Sequence, residues 1–374
     1  MSRPARRDSP WSGLDQPILM ILIGLMAMGI VLSFAASPAV STAVDPWHYL
    51  KKQAAFSVLS VIVIFAAAAL SPTGVRRMAG LALAASFVML VAVVIIGHDV
   101  NGATRWIRIA GFSIQPSELF KPALVVFIAW LFAEEDRGAP APGRLAALAL
   151  YLTGAALLML QPDFGQTVLI SLVFGAMLWA SGLSWTHTAL LAGVGAAGAG
   201  GAIALFPHIR HRIIDFVTPA NDAARSQVDI AMDAIARGGL WGAGAGEGEV
   251  KHVLPMANTD FVFAVAAEEF GLIASLSIIG LYALLFARAW MLAMRLTDPF
   301  AQLATAGLSL LFGLQALVNI AVNLDIAPPT GMTLPFISYG GSSMMALAFS
   351  AGLLLALTRR RPGAYAPAAR PAAA

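Results

Sequence analysis

Long apolar runs alternate along this chain with short polar breaks. Predominantly apolar windows lie near 18–36, 53–70, 79–97, 117–133, 145–160, 167–183, 187–206, 263–287, 300–323 and 341–358. A helix of about 20 such residues crosses the ~30 Å hydrocarbon layer with every backbone polar group satisfied inside the segment. The pattern therefore predicts an all-α integral membrane protein of about ten transmembrane helices. The windows 145–160 and 167–183 are short, and only Gln161-Pro162-Asp163-Phe164-Gly165-Gln166 separates them. They can also be read as one interrupted span. The first run is too long for a signal-peptide core and lacks a cleavage site, so it is expected to remain.

Composition narrows the class further. Of 374 residues, 59% are hydrophobic and 11% charged, against roughly 25% charged in soluble domains. The absence of cysteine rules out disulfide scaffolds and thiolate metal sites. A net charge of +3 is too small and too dispersed for a nucleic-acid binder. An even span count puts both termini on one side. Arg3, Arg6, Arg7, Arg76, Arg77, Arg137, Arg144 and Arg359–Arg361 then share that face, which the positive-inside bias makes cytoplasmic. Residues 1–14 and 361–374 are expected to be disordered cytoplasmic tails around a single membrane domain, 15–360. No repeat of 20–50 residues and no inverted halves are visible.

Polar chemistry gathers in four segments, 98–121, 161–166, 207–260 and 323–342. With ten spans all four emerge on the non-cytoplasmic face, so the protein is expected to work at that surface. The segment 207–260 is too long for a mere connector and is expected to be a large extracytoplasmic loop between helices 7 and 8. Within it His208, His211 and Asp215 could ligate a metal, or the stretch through Arg210 and Arg212 could be an interfacial basic patch. The glycines of 238–246 form no strand-turn-helix phosphate fingerprint. Asp260, behind Asn258 and Thr259, stands at a helix entrance. It could cap that helix, or act as a general base or divalent-cation ligand, with Lys251 and arginines nearby.

Other charges have similar double readings. Glu268 and Glu269 lie further along the same helix, where charge is expensive, and are expected to bond to a neighbouring helix. Glu118 and Lys121 are three apart and can pair. Arg105 stands beside Trp106, a substrate contact or an interfacial anchor. Asp163 could cap the following helix, and the hydroxyl-rich stretch from Pro328 through Ser338, Ser342 and Ser343 reads as a kinked helix entry.

Taken together, several strings resemble the SEDS family of cell-wall proteins (shape, elongation, division and sporulation). They are Asn101–Trp106, Gln115–Lys121, Gln161–Gly165, Leu254–Pro255 leading into Thr259–Ala264, Glu268–Gly271, and Leu334–Ser343. Their order spans nearly the whole chain, and the Phe261–Phe270 and Asn323–Ser343 stretches are more similar to the division-type members than to the elongation-type ones. The resemblance implies a peptidoglycan glycosyltransferase that polymerises lipid II at the outer face of the bacterial cytoplasmic membrane. It transfers the essential acid to Asp260. Substrate contacts are then expected from Arg105, Trp106, Glu118, Lys121, Asp163, Arg210, Lys251, Ser338 and Ser342, with Mg²⁺ or Mn²⁺ as an assisting ion. A class B penicillin-binding transpeptidase and other division proteins are the implied partners. The family pattern Glu-Ala-His before Thr-Asp-Phe reads Met256-Ala257-Asn258 here, and a Tyr-Gln pair reads Ser226-Gln227. A lipid II transporter, an elongation-type polymerase and a non-catalytic scaffold are the competing readings.

Overall fold

The computed structural model describes residues 11, 13–40, 47–100, 103–109, 112–218 and 227–365. In chain order the elements are α1 (Gln16–Val40), α2 (His48–Ala68), α3 (Pro72–Ile96), β1 (His98–Val100), β2 (Ala103–Ile109), β3 (Phe112–Ile114), α4 (Pro116–Asp136), α5 (Gly143–Leu160) and α6 (Phe164–Ala180). They continue with α7 (Trp185–Leu205), α8 (Pro207–Val217), α9 (Gln227–Gly238), a 3₁₀ turn Val250–His252, α10 (Val262–Ala293), α11 (Pro299–Asn323) and α12 (Gly341–Thr358). Among the described residues nine helices are long and apolar enough to span a membrane, and α6 is a shorter apolar one of 17 residues. The all-helical membrane architecture is the one that the apolar windows predict.

Helix starts follow local chemistry. Pro72 and Pro299 sit in the first turns of α3 and α11, where no N–H is missed. The Ser71 and Asp298 side chains accept from Gly74 N at 3.1 Å and Ala301 N at 3.2 Å. Helices α4, α11 and α12 are buried in the centre. By contrast α7 has no buried residue and touches only α6 and α8 closely.

Three features depart from the expected pattern. The stretch before α4 is a three-stranded antiparallel sheet in the order β1-β2-β3, pairing Val100 with Ala103 and Ile107 with Ile114. Segment 207–260 carries α8, the amphipathic α9, whose Val228, Ala231 and Ala234 are buried, and the 3₁₀ turn. Helix α10 breaks at Gly271 (φ 74°, ψ −170°), where a Cβ would lie 2.4 Å from Leu240 O. Only glycine allows the glycine-rich loop after α9 to dock there.

One end of the bundle gathers the described chain ends. Arg360 N donates to Gly13 O at 2.8 Å, Arg288 pairs with Asp15 at 2.7 Å, and Thr297 Oγ1 donates to Gly363 O at 2.8 Å. Residues 361–365, expected to belong to a loose tail, thus lie against the α10–α11 connection. The remainder of both expected tails, 1–10, 12 and 366–374, is outside the described residues. At this end Arg137 bonds Glu134 and Asp298, and Arg144 bonds Glu135 and Asp136.

Candidate functional site

At the opposite end the four polar segments converge. Strand β2 alternates its side chains across the sheet. Arg105 therefore turns towards the α5–α6 connection, where Nη2 donates to Pro162 O and Nη1 stands 3.7 Å from Asp163 Oδ1. Trp106, half-buried, faces the other way, so the expected Arg105–Trp106 pair does not act as one unit. Asp163 occupies the N-cap position of α6, yet its side chain makes no cap bond. Its second oxygen accepts from Gln115 Nε2 at 3.4 Å. Burial pushes the Asp163 carboxyl above its ordinary range, against the opposing pull of Arg105 and Lys121.

The segment after α11 completes this cluster. Gly331 adopts φ 72°, and a Cβ built there would stand 3.5 Å from Arg105 Nη1 and 3.9 Å from Asp260 Oδ2. The guanidinium and the carboxylate thus approach one small space that a side chain would narrow. Asp260 is half-buried and precedes α10, whose N-cap position is Phe261. Asn319 and Asn323 of α11 both donate to its backbone carbonyl, each at 2.9 Å. Beside the cluster opens an apolar cavity of about 200 Å³, lined by Pro162, Phe164, Val168, Ile209, Pro329 and Thr330 among others. Arg210, exposed on α8, neighbours Ile209 of that lining.

Two expected cations lie elsewhere. Lys121 is 1% exposed and bonds Glu118 Oε1 and Gln315 Oε1, both at 2.9 Å. The same Glu118 accepts from Gln166 at 2.9 Å and from Ser343 at 3.1 Å. The 118–121 pair therefore forms, inside a closed interior network. Lys251, also 1% exposed, bonds Glu269 together with Ala35 O at 3.1 Å and Gly246 O at 2.8 Å. All three ammonium protons are engaged, so Lys251 is a buried strut and has none left for a phosphate.

The glutamates of α10 do pair, as expected, but with the 246–251 segment instead of a neighbouring helix. Glu268 accepts from Val250 N at 2.7 Å and Lys251 N at 3.0 Å. Ser338, expected to touch substrate, is buried, accepts from Leu334 N at 2.7 Å and donates to Thr259 O at 2.6 Å. It supports the Asp260 segment from behind. Ser342 is half-buried in the first turn of α12, and its neighbour Ser343 is the one that reaches Glu118. The side chains of His208, Arg212 and Asp215 lie outside the described residues, as does Ser226. Gln315 and Asn319 lie outside every motif that the sequence offered, and Gln115, Asn323 and Gly331 lie within such motifs without having been given a role.

This arrangement, a buried-acid-backed guanidinium facing a carboxylate at the mouth of an apolar hollow, suits an amphiphile with an anionic head. Comparison with known proteins identifies the class. The profile of the FtsW/RodA/SpoVE family, cell cycle proteins, matches residues 16–362. The chain belongs to this family, the SEDS proteins that its motifs resemble. A Caulobacter vibrioides protein named "Probable peptidoglycan glycosyltransferase FtsW" is 46% identical over 358 residues, covering 95% of this chain and 92% of that protein. A structure described as "Structural coordination of polymerization and crosslinking by a peptidoglycan synthase complex" superposes with a TM-score of 0.76 at 30% identity, covering 93% of this chain and 98% of that one. The Thermus thermophilus rod shape determining protein RodA gives 0.68 at 28% identity, covering 94% and 98%.

Proposed function

We propose that this chain is a peptidoglycan glycosyltransferase that polymerises lipid II for the septal wall. The observation that carries the reading is the convergence of Asp260 and Arg105 on Gly331 beside the apolar cavity. In the reaction, the GlcNAc 4-hydroxyl of one lipid II attacks the anomeric carbon of the MurNAc of another. The O4–C1 bond forms, Asp260 takes the hydroxyl proton, and the C1–O bond to the diphosphate breaks with its electron pair leaving on undecaprenyl diphosphate. A general base supplies about 10²–10⁴-fold. Arg105, with a side chain 12% exposed, and Arg210 are the cations placed to meet the diphosphate. The hollow between α6, α8 and the 327–332 segment suits the start of the polyprenyl tail.

The described residues near Asp260 favour an ion brought in with the substrate over one held by the protein. Among the described residues no group of three or more metal-ligating side chains gathers, and Arg105 takes the place beside Asp163 where a cation would bind. Mg²⁺ or Mn²⁺ would enter as a counter-ion of the diphosphate. Positive charge at the end where Gly13 meets Arg360 supports cytoplasmic termini and, with them, a site facing the periplasm. A matched structure that joins polymerisation to crosslinking supports a transpeptidase partner of the class B penicillin-binding type.

The test is lipid II polymerisation by the purified chain, with and without that partner, read on a glycan gel. Asp260→Ala is expected to lower the rate at least 10²-fold while the protein stays folded and partner-bound. A folded Asp260→Ala protein that polymerises at the wild-type rate refutes the role. Movement of lipid II across vesicle bilayers without glycan formation supports the transporter instead.

A further inference from the structure

At the entrance of α10 the backbone carbonyl of Asp260 is held from a neighbouring helix. Asn319 and Asn323 are one turn apart on α11, so they share a face, and they are 2% and 0% exposed. Asn319 Nδ2 forks between Asp260 O at 2.9 Å and Met332 O at 2.7 Å. One amide thus grips both the segment that bears Asp260 and the one that bears Gly331. Asn323 Nδ2 donates to Asp260 O at 2.9 Å and to Asn319 O at 2.9 Å. Its Oδ1 accepts from Ala264 N at 3.1 Å, in the first turn of α10. The backbone partners fix the orientation of both amides, since a flipped Asn323 would face Ala264 N–H with its own donor.

The geometry points to Asn319 and Asn323 as positioning residues for the transfer step. They clamp the Asp260 peptide from α11 and cap α10 in trans, which sets the distance between the base and Arg105. Phe261, at the N-cap position, offers no side-chain cap, so the cap must come from another element. Asp260 C=O receives both amides, one for each lone pair, and cannot rotate without breaking both bonds. Misplacing a reacting group by 1 Å costs about 10²-fold in rate.

This inference rests on the glycosyltransferase reading, and its test keeps the two apart. Asn319→Leu and Asn323→Leu preserve volume and delete the amides. The full chain with its transpeptidase partner is assayed for lipid II affinity, for single-turnover polymerisation and for melting temperature. Asp298→Ala is the control, because it removes a cap at the far end of α11. Both Asn variants are expected to bind lipid II within about twofold of wild type and to turn over roughly 10- to 100-fold more slowly. Asp298→Ala should melt lower with its rate intact. Wild-type rates in both variants overturn the clamp, as do losses that track lipid II affinity or that Asp298→Ala shares. Should the leucine variants not fold, Asn319→Gln, which keeps the amide but displaces it by one methylene, is read by the same criteria. A wild-type chain that makes no glycan sinks the glycosyltransferase reading instead.

Discussion

Lys251 separates two kinds of basic residue that look alike in sequence. As a diphosphate ligand its loss would raise KM and leave the fold unaffected. The structure gives the opposite expectation. Its side chain is 1% exposed and Glu269 is 0% exposed, so solvent screening does little to weaken the pair. Lys251→Met leaves Glu269 charged, with Gly246 N–H still donating to its other carboxylate oxygen, and takes a donor from Gly246 O. Removing one member of a buried pair typically costs about 3–5 kcal/mol. In a chain of this size that lowers the melting temperature by roughly 4–8 °C. Replacing both charges restores neutrality, so Lys251→Met/Glu269→Gln should recover most of the loss, to within about 1 kcal/mol of wild type. The assay is a fluorescence size-exclusion melt of the detergent-solubilised protein, alongside KM for lipid II. A Lys251→Met protein that melts with wild type while its KM rises tenfold would show that the ammonium meets substrate and that the buried pair is not its role.

Four other expectations follow from the contacts in the structure. Gly271→Ala would put a Cβ 2.4 Å from a backbone oxygen at positive φ and should abolish folded protein, judged by size exclusion. Gly331→Ala meets nothing closer than 3.5 Å, so it should cost only about 1 kcal/mol in stability yet slow polymerisation by narrowing the space between Arg105 and Asp260. Arg105→Lys keeps the charge but cannot fork between Pro162 O and Asp163, so KM for lipid II should rise about tenfold. Asp15→Asn removes the charge of a buried carboxylate, 4% exposed, from its pair with Arg288 at the far end, and should lower stability by about 1.5–3 kcal/mol while leaving the rate unchanged.

The spans were legible because lipid imposes one solution on the backbone, and apolar length reports it directly. The hairpin before α4 was equally within reach. Thr104-Arg105-Trp106-Ile107-Arg108-Ile109 is rich in β-branched and aromatic residues, and Asn101-Gly102 is a two-residue turn signal, but both were overshadowed by the flanking apolar runs. Helix α9 also announced itself through Val228, Ala231, Ala234 and Ile235 at helical spacing. The break at Gly271 did not, since one glycine inside an apolar run reads as tolerated helix. Asp260 could be singled out, but its supports could not. Asn319 and Asn323 lie 59 and 63 residues away, on a helix whose rotation no periodicity fixes. The burial of Lys251 was hidden for a related reason, as exposure of a long basic side chain is a tertiary property.

The distribution of buried charge also bears on transport against catalysis. Each interior charge near the site is closed on a partner: Lys121 on Glu118, Lys251 on Glu269, Asp163 on Arg105. Towards the other end, the facing stretches 123–129 of α4, 303–312 of α11 and 346–357 of α12 carry no charged side chain, and Thr305, Ser309 and Ser350 are their polar members. Those stretches are packed and almost wholly buried. A diphosphate and a disaccharide-peptide drawn through this core would shed their hydration against leucine and phenylalanine with no cation to receive them, a desolvation cost of several kcal/mol for each charge. Of the four cations proposed to meet substrate, the two that remain reachable, Arg105 and Arg210, lie at the end with Asp260. Charge placement of this kind holds an anionic head at one surface while a base acts on the sugar beside it, and gives the head no route onward.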